Sequence, residues 1–160
     1  MPKIMPCLWI DDRIEEMVNF YVATFKDAEI FSKTPGPGGS VLTMTFRLKD
    51  QHYMALNGGP GPMFKFNESV SFSVDCADQA EIDYYWNALT ADGGEESMCG
   101  WLKDKYGLSW QIVPYNAMQM IWDPKNPESS ARAQQAMFKM RKLVIADLEA
   151  GVIQRGQALE

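Results

Sequence analysis

Apolar and polar residues alternate along several short stretches of the chain. The longest stretch is 41–48, in which every second residue from Leu42 onward is apolar and threonine or arginine stands between. Successive side chains of a strand point to opposite faces of a sheet, so this period of two predicts a half-buried strand. Two shorter alternating stretches end at Asp11 and Asp75. Each of these predicts the first strand of a structural module.

Each short stretch is followed by apolar residues at helical spacing. These apolar residues are Met17, Phe20, Tyr21 and Phe25 in the first case, and Ile82, Tyr85, Trp86 and Leu89 in the second. Asp11 or Asp12 precedes the first helical pattern, and Asp78 precedes the second. A carboxylate at the start of a helix can accept hydrogen bonds from free N–H groups, so these residues are predicted N-caps.

The two halves of the chain resemble each other. The first-strand stretches before Asp11 and Asp75 are separated by 64 residues, as are the helical positions Tyr21 and Tyr85. A second similarity links 48–50 to 102–104, both of sequence Leu-Lys-Asp and 54 residues apart. We interpret the smaller offset as an insertion at about 33–40. Each half then reads as strand, helix and about three strands, a βαβββ module present twice.

The C-terminal part of the chain has a helical pattern with breaks. The segment 123–127 carries two prolines and interrupts the pattern that begins at Asn116. Ser129 or Ser130 is the predicted cap of a helix whose apolar face is Ala133, Ala136, Met137 and Met140. A last helix is predicted over 145–150, ending at Gly151. We expect this segment to pack on the rest of the chain or on a second subunit.

These patterns predict a body over 1–122 and a helical extension over 123–160. Module one covers about 1–62, and module two covers about 66–114. The chain length of 160 residues agrees with a single body of this kind. The predicted fold class is α+β.

Charge and composition exclude several classes of function. With 15 Lys+Arg against 21 Asp+Glu, the net charge is −6, which disfavours binding to nucleic acid. No apolar run approaches the roughly 20 residues that a membrane span needs, and the first residues lack a secretory signal. The three cysteines are widely spaced, which favours reduced thiols and a cytoplasmic location. The single histidine, His52, excludes sites that need two imidazoles from one chain.

The sequence resembles the vicinal-oxygen-chelate superfamily, which includes glyoxalase I, extradiol dioxygenases and bleomycin-resistance proteins. It is more similar to the PhnB-like branch, which is often labelled demethylubiquinone-methyltransferase-like. The stretches that carry the resemblance are Pro6–Asp11, Asn19–Tyr21, Ala55–Pro60, Ser71–Cys76, Cys99–Asp104 and Ser109–Pro114. The resemblance implies that the paired modules form cupped mixed sheets with their helices outside.

The resemblance also implies where a metal ion would bind. In metal-using members of the superfamily, His, Gln or Glu from the first and last strands hold a divalent ion in the cup. The matching positions here are Met5, Asn57, Ser69 and Gln111. These residues offer no carboxylate or imidazole, the groups that hold divalent ions in such proteins. We therefore expect no metal site and no cofactor.

Strand alternation and the resemblance together predict which residues line the cup. On the first strand of module one, Cys7 and Trp9 are expected to face inward, while Leu8 and Ile10 lie under the helix. The last strands are expected to turn Tyr53, Ala55 and Asn57, and Ser109, Gln111 and Val113, toward the same interior. The predicted ligand-binding residues are Met5, Cys7, Trp9, Asn57, Ser69, Ser71, Cys99, Trp101 and Gln111. We interpret 57–62 as a turn that leaves module one, with Phe64 and Phe66 as candidates for a lid.

The sequence and the resemblance indicate two possible functions. The first is a small-molecule-binding protein of the glyoxalase-like superfamily, in which metal-independent catalysis of an unidentified reaction is left open. The alternative is a non-catalytic sequestering protein of the bleomycin-resistance kind, for which the acidic chain favours a cationic ligand. Methyltransferase activity is not expected, because no glycine-rich turn follows a first strand. The expected partners are a small-molecule ligand and a second copy of the chain in a homodimer.

Overall fold

The computed structural model of the protein describes residues 2, 4–61 and 64–153. Residues 1–65 and 66–160 form two compact units. The first unit contains β1 (Cys7–Ile10), α1 (Ile14–Thr24), β2 (Ala28–Pro35), a 3₁₀ turn (Pro37–Gly39), β3 (Val41–Leu48) and β4 (Gln51–Asn57). The predicted strand at 41–48 is confirmed.

The second unit repeats this order of elements and adds three helices. It contains β5 (Ser71–Asp75), α2 (Gln79–Thr90), a 3₁₀ turn (Ala91–Gly93), β6 (Glu95–Glu96), β7 (Trp101–Lys103) and β8 (Ser109–Val113). The additional helices are α3 (Tyr115–Ile121), α4 (Pro127–Met137) and α5 (Ile145–Ile153). No helix in the described ranges is long and apolar enough to cross a membrane.

The two sheets share one topology. The strand order is β1-β4-β3-β2 in the first sheet and β5-β8-β7-β6 in the second. In each sheet the first and last strands of the module pair in parallel, and the other neighbouring strands pair antiparallel. This is the βαβββ arrangement predicted twice from the sequence, in an α+β fold.

In each unit one face of the sheet is covered by the helix of the module. We call this the helix face, and we call the opposite side of the same sheet the open face. In the first unit Leu8, Ile10, Met44 and Phe46 are buried on the helix face. The ring of Tyr21 from α1 stacks on Phe46 with 6.5 Å between ring centroids. Burial of these large side chains against α1 is the main source of stability available to this unit.

The register of β4 corrects one prediction from the sequence. Leu8 pairs with Ala55, and Ile10 pairs with Asn57. Paired residues share a face, so Tyr53, Ala55 and Asn57 belong to the helix face and not to the open face. Leu56, which pairs with Trp9, occupies the open-face position instead. In the second unit the prediction was right, because Ser71 pairs with Ser109 and Ser73 pairs with Gln111.

The Leu-Lys-Asp similarity between the halves is not a structural equivalence. Leu102 pairs with Trp110, and Trp110 in turn pairs with Phe72. The first-unit residue in the same relation to Ala55 and Leu8 is Met44. Leu48 instead lies at the end of β3, beside the hairpin turn. In the last strands, Leu56 and Gln111 are equivalent because they pair with Trp9 and Ser73, an offset of 55 residues. An alignment based on the Leu-Lys-Asp offset of 54 therefore misplaces the last strand by one residue.

Helix ends differ in detail from the predictions. Asp78 caps α2 as expected, since its side chain accepts a hydrogen bond from the Glu81 N–H at 2.9 Å. The N-cap residue of α1 is Arg13, and the Asp11 carboxylate binds the Arg13 side chain instead. In the extension the N-cap residue of α4 is Asn126 rather than Ser129 or Ser130.

The last helix continues through Gly151 instead of ending there. A Cβ at Gly151 would stand 3.1 Å from the Cα of Ala133 on α4. Glycine is therefore used inside α5 because it lets two helix backbones come close together. The prediction that the last helix ends at Gly151 is therefore wrong.

The C-terminal helices pack on the second unit and on one another. Val113, Ala117, Ile121, Ala133, Met137, Leu143 and Leu148 form their buried cluster. Gln79 at the start of α2 binds the extension twice, donating to the Leu143 carbonyl and accepting from the Ile145 N–H. The apolar face predicted at Ala133 and Met137 is thus covered within the unit.

Asp104 organises the hairpin between β7 and β8. It is 2% exposed, and its carboxylate accepts hydrogen bonds from the Tyr106 and Leu108 N–H groups and from the Trp110 indole N–H. A carboxylate has acceptor sites for all three donors. Because Trp110 lies in the core, Asp104 connects the hairpin turn to the buried layer of the sheet.

Replacing Asp104 by Asn is expected to destabilise the protein by about 2–3 kcal/mol, because one of the buried donors then faces an N–H₂ group. Chemical denaturation followed by far-ultraviolet circular dichroism measures the loss. Asp12→Asn removes the same charge from an exposed position and is expected to change the free energy of unfolding by less than about 0.5 kcal/mol. Equal stabilities of the two variants would contradict this role of Asp104.

Candidate functional site

The open face of the second sheet carries polar side chains from three strands. Ser71 and Ser73 come from β5, Gln111 comes from β8, and Trp101 pairs with Gln111 from β7. The Gln111 Nε2 donates to Ser71 Oγ at 2.9 Å. These four residues share a face because strand side chains alternate, while Phe72 on the helix face contacts Trp110. The open face of this sheet can therefore make hydrogen bonds without exposing the core.

Helix α3 follows this sheet directly and stands beside its open face. The Tyr115 N–H donates to the Asp75 carboxylate at 3.0 Å, which fixes the start of α3 at the end of β5. The Tyr115 hydroxyl lies 3.2 Å from Ser73 Oγ. Backbone and side chain of one residue thus tie α3 to the edge of the polar surface.

The second sheet, α3 and the residues just after α3 together border a groove with a volume of about 700 Å³. Ser73, Gln111 and Val113 line it from the sheet. The residues that line it from α3 and the segment after it are Tyr115, Asn116, Met118, Gln119, Met120, Trp122, Asp123 and Pro124. The volume lies within the usual range for small-molecule sites. We take this groove as the candidate functional site.

The residues with which α3 borders the groove are spaced regularly in the sequence, although the helical pattern alone did not distinguish them. Tyr115, Gln119 and Trp122 follow one another at helical spacing, on the side of α3 that lines the groove. Ala117 and Ile121 lie on the other side, in the buried cluster. The two sides of α3 therefore have different surroundings: the small apolar residues pack in the buried cluster, and the exposed aromatic residues border the groove.

The groove has one charged lining residue, Asp123. Its carboxylate accepts hydrogen bonds from the Lys125 N–H and the Asn126 side-chain amide. Both bonds lower the pKa of Asp123, and the bond from Asn126 has the larger effect. Asp123 is therefore ionised at neutral pH. No Lys or Arg lines the groove in the described part of the chain, so its charge is negative.

A separate cluster in the first unit surrounds Trp9. The indole, 38% exposed, meets the Phe64 ring edge-on at a centroid distance of 5.3 Å. A Cβ on Gly58 would lie 1.8 Å from the Trp9 Nε1. The indole therefore lies between Phe64 and a position that accepts only glycine. This contact agrees with the interpretation of Phe64 as a cover for the open-face residues of its own unit.

The predicted ligand-binding residues fall into several environments. Cys7 and Trp9 lie on the open face of the first sheet, and Ser71, Trp101 and Gln111 lie on that of the second. The other four are placed differently. Met5 precedes β1, and the Ser69 hydroxyl donates to the Asn67 side chain before β5.

Asn57 and Cys99 have structural contacts of their own. The Asn57 amide donates to the Val41 carbonyl and accepts from the Gly59 N–H, which ties the end of β4 to β3 and to the loop that follows. Cys99 packs against the helical cluster, and its N–H donates to the Met140 carbonyl. These contacts place both side chains in supporting positions.

The thiols are poorly suited to act as nucleophiles. Desolvation raises the pKa of both Cys7 and Cys99, which favours the uncharged thiol at neutral pH. The thiolate is the reactive form, so raised pKa values reduce reactivity. The raised pKa values therefore argue against a nucleophilic role for Cys7 and Cys99.

The four positions that the sequence matched to the metal-binding corners of the superfamily do not fit a divalent ion, and one of them, Asn57, lies on the helix face, while Leu56 occupies the open-face position. Met5, Asn57, Ser69 and Gln111 supply a thioether, a hydroxyl and two amides, but no anionic or imidazole group. The amides of Asn57 and Gln111 and the hydroxyl of Ser69 already make hydrogen bonds within the protein. Among the described residues, no three His, Cys, Asp or Glu side chains form a metal-binding group elsewhere.

Comparison with known proteins identifies the family. The model of the 3-demethylubiquinone-9 3-methyltransferase family matches residues 2–113. The chain belongs to this family. A PhnB protein from Bacillus cereus is 32% identical, and the match covers 71% of this chain and 99% of that chain with a TM-score of 0.65. The resemblance to the PhnB-like branch is thereby confirmed.

More distant structures agree with the PhnB-like fold. A protein from Pseudomonas aeruginosa is 19% identical, with 69% of this chain and 95% of that chain covered and a TM-score of 0.58. A gene product from Arabidopsis thaliana is 17% identical, with 69% and 96% covered and a TM-score of 0.50. No curated protein matches the sequence.

Gly58→Ala tests the close contact with Trp9. The added methyl group overlaps the indole, so we expect a loss of about 1–3 kcal/mol in the free energy of unfolding, measured by urea denaturation. In a Trp9→Ala background the same substitution has no ring to displace, and its cost is expected to fall below about 0.5 kcal/mol. An equal cost in both backgrounds would show that the indole does not require glycine at residue 58.

Proposed function

We propose that the protein binds a small organic molecule in the groove of the second unit, on the open face of its sheet. The observation that carries the proposal is the meeting of a polar sheet surface, Ser73 and Gln111, with an aromatic wall, Tyr115 and Trp122, around about 700 Å³. Ligand sites usually combine such apolar walls with a few polar groups that fix orientation. Ser71 and Trp101 extend the same surface along β5 and β7.

Binding is proposed to be independent of a metal ion and of any cofactor. The support is the donor chemistry of Met5, Asn57, Ser69 and Gln111, since thioether, hydroxyl and amide groups leave a hard cation without a charged ligand. Of the predicted ligand contacts, Cys7 and Trp9 remain candidates on the first sheet. Asn57 and Cys99 are proposed to act by holding the backbone around them.

Sequestration without chemistry is the favoured form of this function. The thiols of Cys7 and Cys99 have raised pKa values, and the Asp123 carboxylate has a lowered one, so each is a weak candidate for nucleophile or base. Metal-independent catalysis is the alternative form. It requires a reaction that is accelerated mainly by positioning the substrate and not by proton transfer from the protein.

The methyltransferase name of the family is not carried over to this chain. Nucleotide cofactors are usually bound where a glycine-rich turn joins a parallel strand to a helix. Here β1 leads to α1 through Asp11, Asp12 and Arg13, and β5 leads to α2 through 76–78, neither of which contains glycine. Both links carry carboxylates where such a turn would have glycine.

A thermal-shift screen of uncharged metabolites and cationic antibiotics tests the proposal. At least one compound is expected to raise the melting temperature in the presence of EDTA and to bind with 1:1 stoichiometry in calorimetry. Gln111→Ala is expected to weaken that binding at least tenfold, because an orienting amide is lost from the groove floor. Gln135→Ala changes an exposed glutamine outside the groove and serves as the matched control.

The outcome of the screen also separates the two forms of the function. Stabilisation with the compound recovered unchanged supports sequestration, while a new product in chromatography supports catalysis. If binding requires a divalent ion, or if Gln111→Ala and Gln135→Ala behave alike for every hit, the proposal is wrong.

We further propose that the chain forms a homodimer and acts in the cytoplasm. The support is that several large apolar side chains of the first unit, including Trp9, Phe31, Leu42 and Phe64, are more than a third exposed. Light scattering at micromolar concentration is expected to give about twice the chain mass of 18.1 kDa. A monomer mass over this concentration range would reject the dimer.

A further inference from the structure

The segment after residue 113, which consists of α3 and the start of the C-terminal extension, supplies most of the groove. Eight of its eleven lining residues lie after residue 113, where the match to the family model ends. The Bacillus cereus structure is matched over 99% of its own length and still accounts for only 71% of this chain. The wall that turns the open face of the second sheet into a groove is thus an addition to the shared fold.

The added wall has a chemistry of its own. Tyr115 and Trp122 are 50% and 57% exposed, so their rings are open to solvent on the side of the groove. Met118 and Met120 add polarisable thioethers that pack well against flat rings. An aromatic ring in the ligand would bury apolar area against these side chains.

The charge of this wall of the groove favours a positively charged ligand. Asp123 stands one residue after Trp122, and hydrogen bonds from 125 and 126 hold its carboxylate in place. No lysine or arginine is among the described residues that line the groove, and the charge of Lys125, which lies outside the lining, is the smallest of the causes that lower the pKa of Asp123. A cation is also attracted to the faces of Trp and Tyr rings, so the carboxylate and both aromatic residues favour the same ligand.

We infer that the segment after residue 113 makes the groove selective for aromatic organic cations, with Trp122 and Tyr115 contacting the ring system and Asp123 balancing its charge. This inference rests on the proposed function and adds to it a ligand class and the residues that determine specificity. Gln111 and Ser73 on the sheet then orient polar substituents of the same ligand.

Two tricyclic fluorophores test the inference on the full chain. Proflavine is a flat cation at neutral pH, and 9-anthracenecarboxylate is an anion of similar size. Proflavine is expected to bind at least tenfold more tightly than the anion, and its binding is expected to weaken as salt is added. Equal affinity for both probes, or tighter binding of the anion, would overturn the inference.

Substitutions in the wall locate the site of the cation. Trp122→Ala is expected to weaken proflavine binding about 5- to 30-fold, while Trp122→Phe keeps most of the affinity. Phe138→Ala is the matched control, since Phe138 has the same exposed fraction of 57% and lies outside the groove. A twofold change or less in Trp122→Ala would overturn the inference.

The charge is tested in the same way. Asp123→Asn is expected to weaken proflavine binding about 3- to 10-fold and to leave the anion unaffected or bound more tightly. Glu149→Gln is the matched control, since it removes a charge from exposed α5 outside the groove. If Glu149→Gln weakens proflavine binding as much as Asp123→Asn, the carboxylate does not act through its charge in the groove.

Failure of the inference can be told apart from failure of the proposed function. A screened ligand that depends on Gln111 but not on Trp122 or Asp123 leaves the proposed function intact and overturns the inference. A chain that binds neither the screened compounds nor proflavine overturns both.

Discussion

Each sheet in this protein has one helix and two faces, and this constraint organises the rest of the structure. The helix buries alternate side chains of the inner strands, as with Leu8 and Ile10 in the first unit and Ile112 and Leu102 in the second. The side chains between them are left on a face that the module itself does not cover. That face can carry polar groups, because most of the residues that form the core of the module lie on the other side.

The second unit uses its open face by adding a wall beside it. The bond from the Tyr115 N–H to Asp75 sets where α3 begins, and the cluster around Ala117 and Ile121 holds α3 against the extension. The residues on the remaining side of α3 are then presented to the sheet surface with little freedom to move away. The groove is thus formed beside the sheet without a change in the core of the module.

Much of this could be predicted from the sequence, and the failures have a physical cause. Alternation and helical spacing are local, so the α+β fold class and the strand at 41–48 were predicted correctly, and Ser71 and Gln111 share a face as the alternation predicts. The pairing of β1 with β4 is long-range and depends on hairpin length. A one-residue error in that register moves Asn57 from one face to the other. Leu-Lys-Asp at 48–50 and 102–104 suggested the wrong register, because the two hairpins differ in length.

The groove was missed for a different reason. The apolar pattern of the extension reports the side that packs in the cluster, whereas Tyr115, Gln119 and Trp122 gain meaning only beside the sheet. Family likeness could not supply them either, since the family match ends at residue 113. Exposed aromatic residues on an added helix are the kind of signal that warrants attention in related chains.

Indole N–H signals in a two-dimensional nitrogen–proton NMR spectrum test the central claim most directly. The five tryptophans lie in distinct places: Trp122 lines the groove, while the buried indoles of Trp86 and Trp110 are hydrogen-bonded to Glu96 and Asp104. When a ligand that binds in the groove is added, we expect a large shift of the Trp122 signal and little change in the signals of Trp86 and Trp110. A spectrum in which Trp122 stays in place while other indole signals move would place the ligand elsewhere and contradict the account.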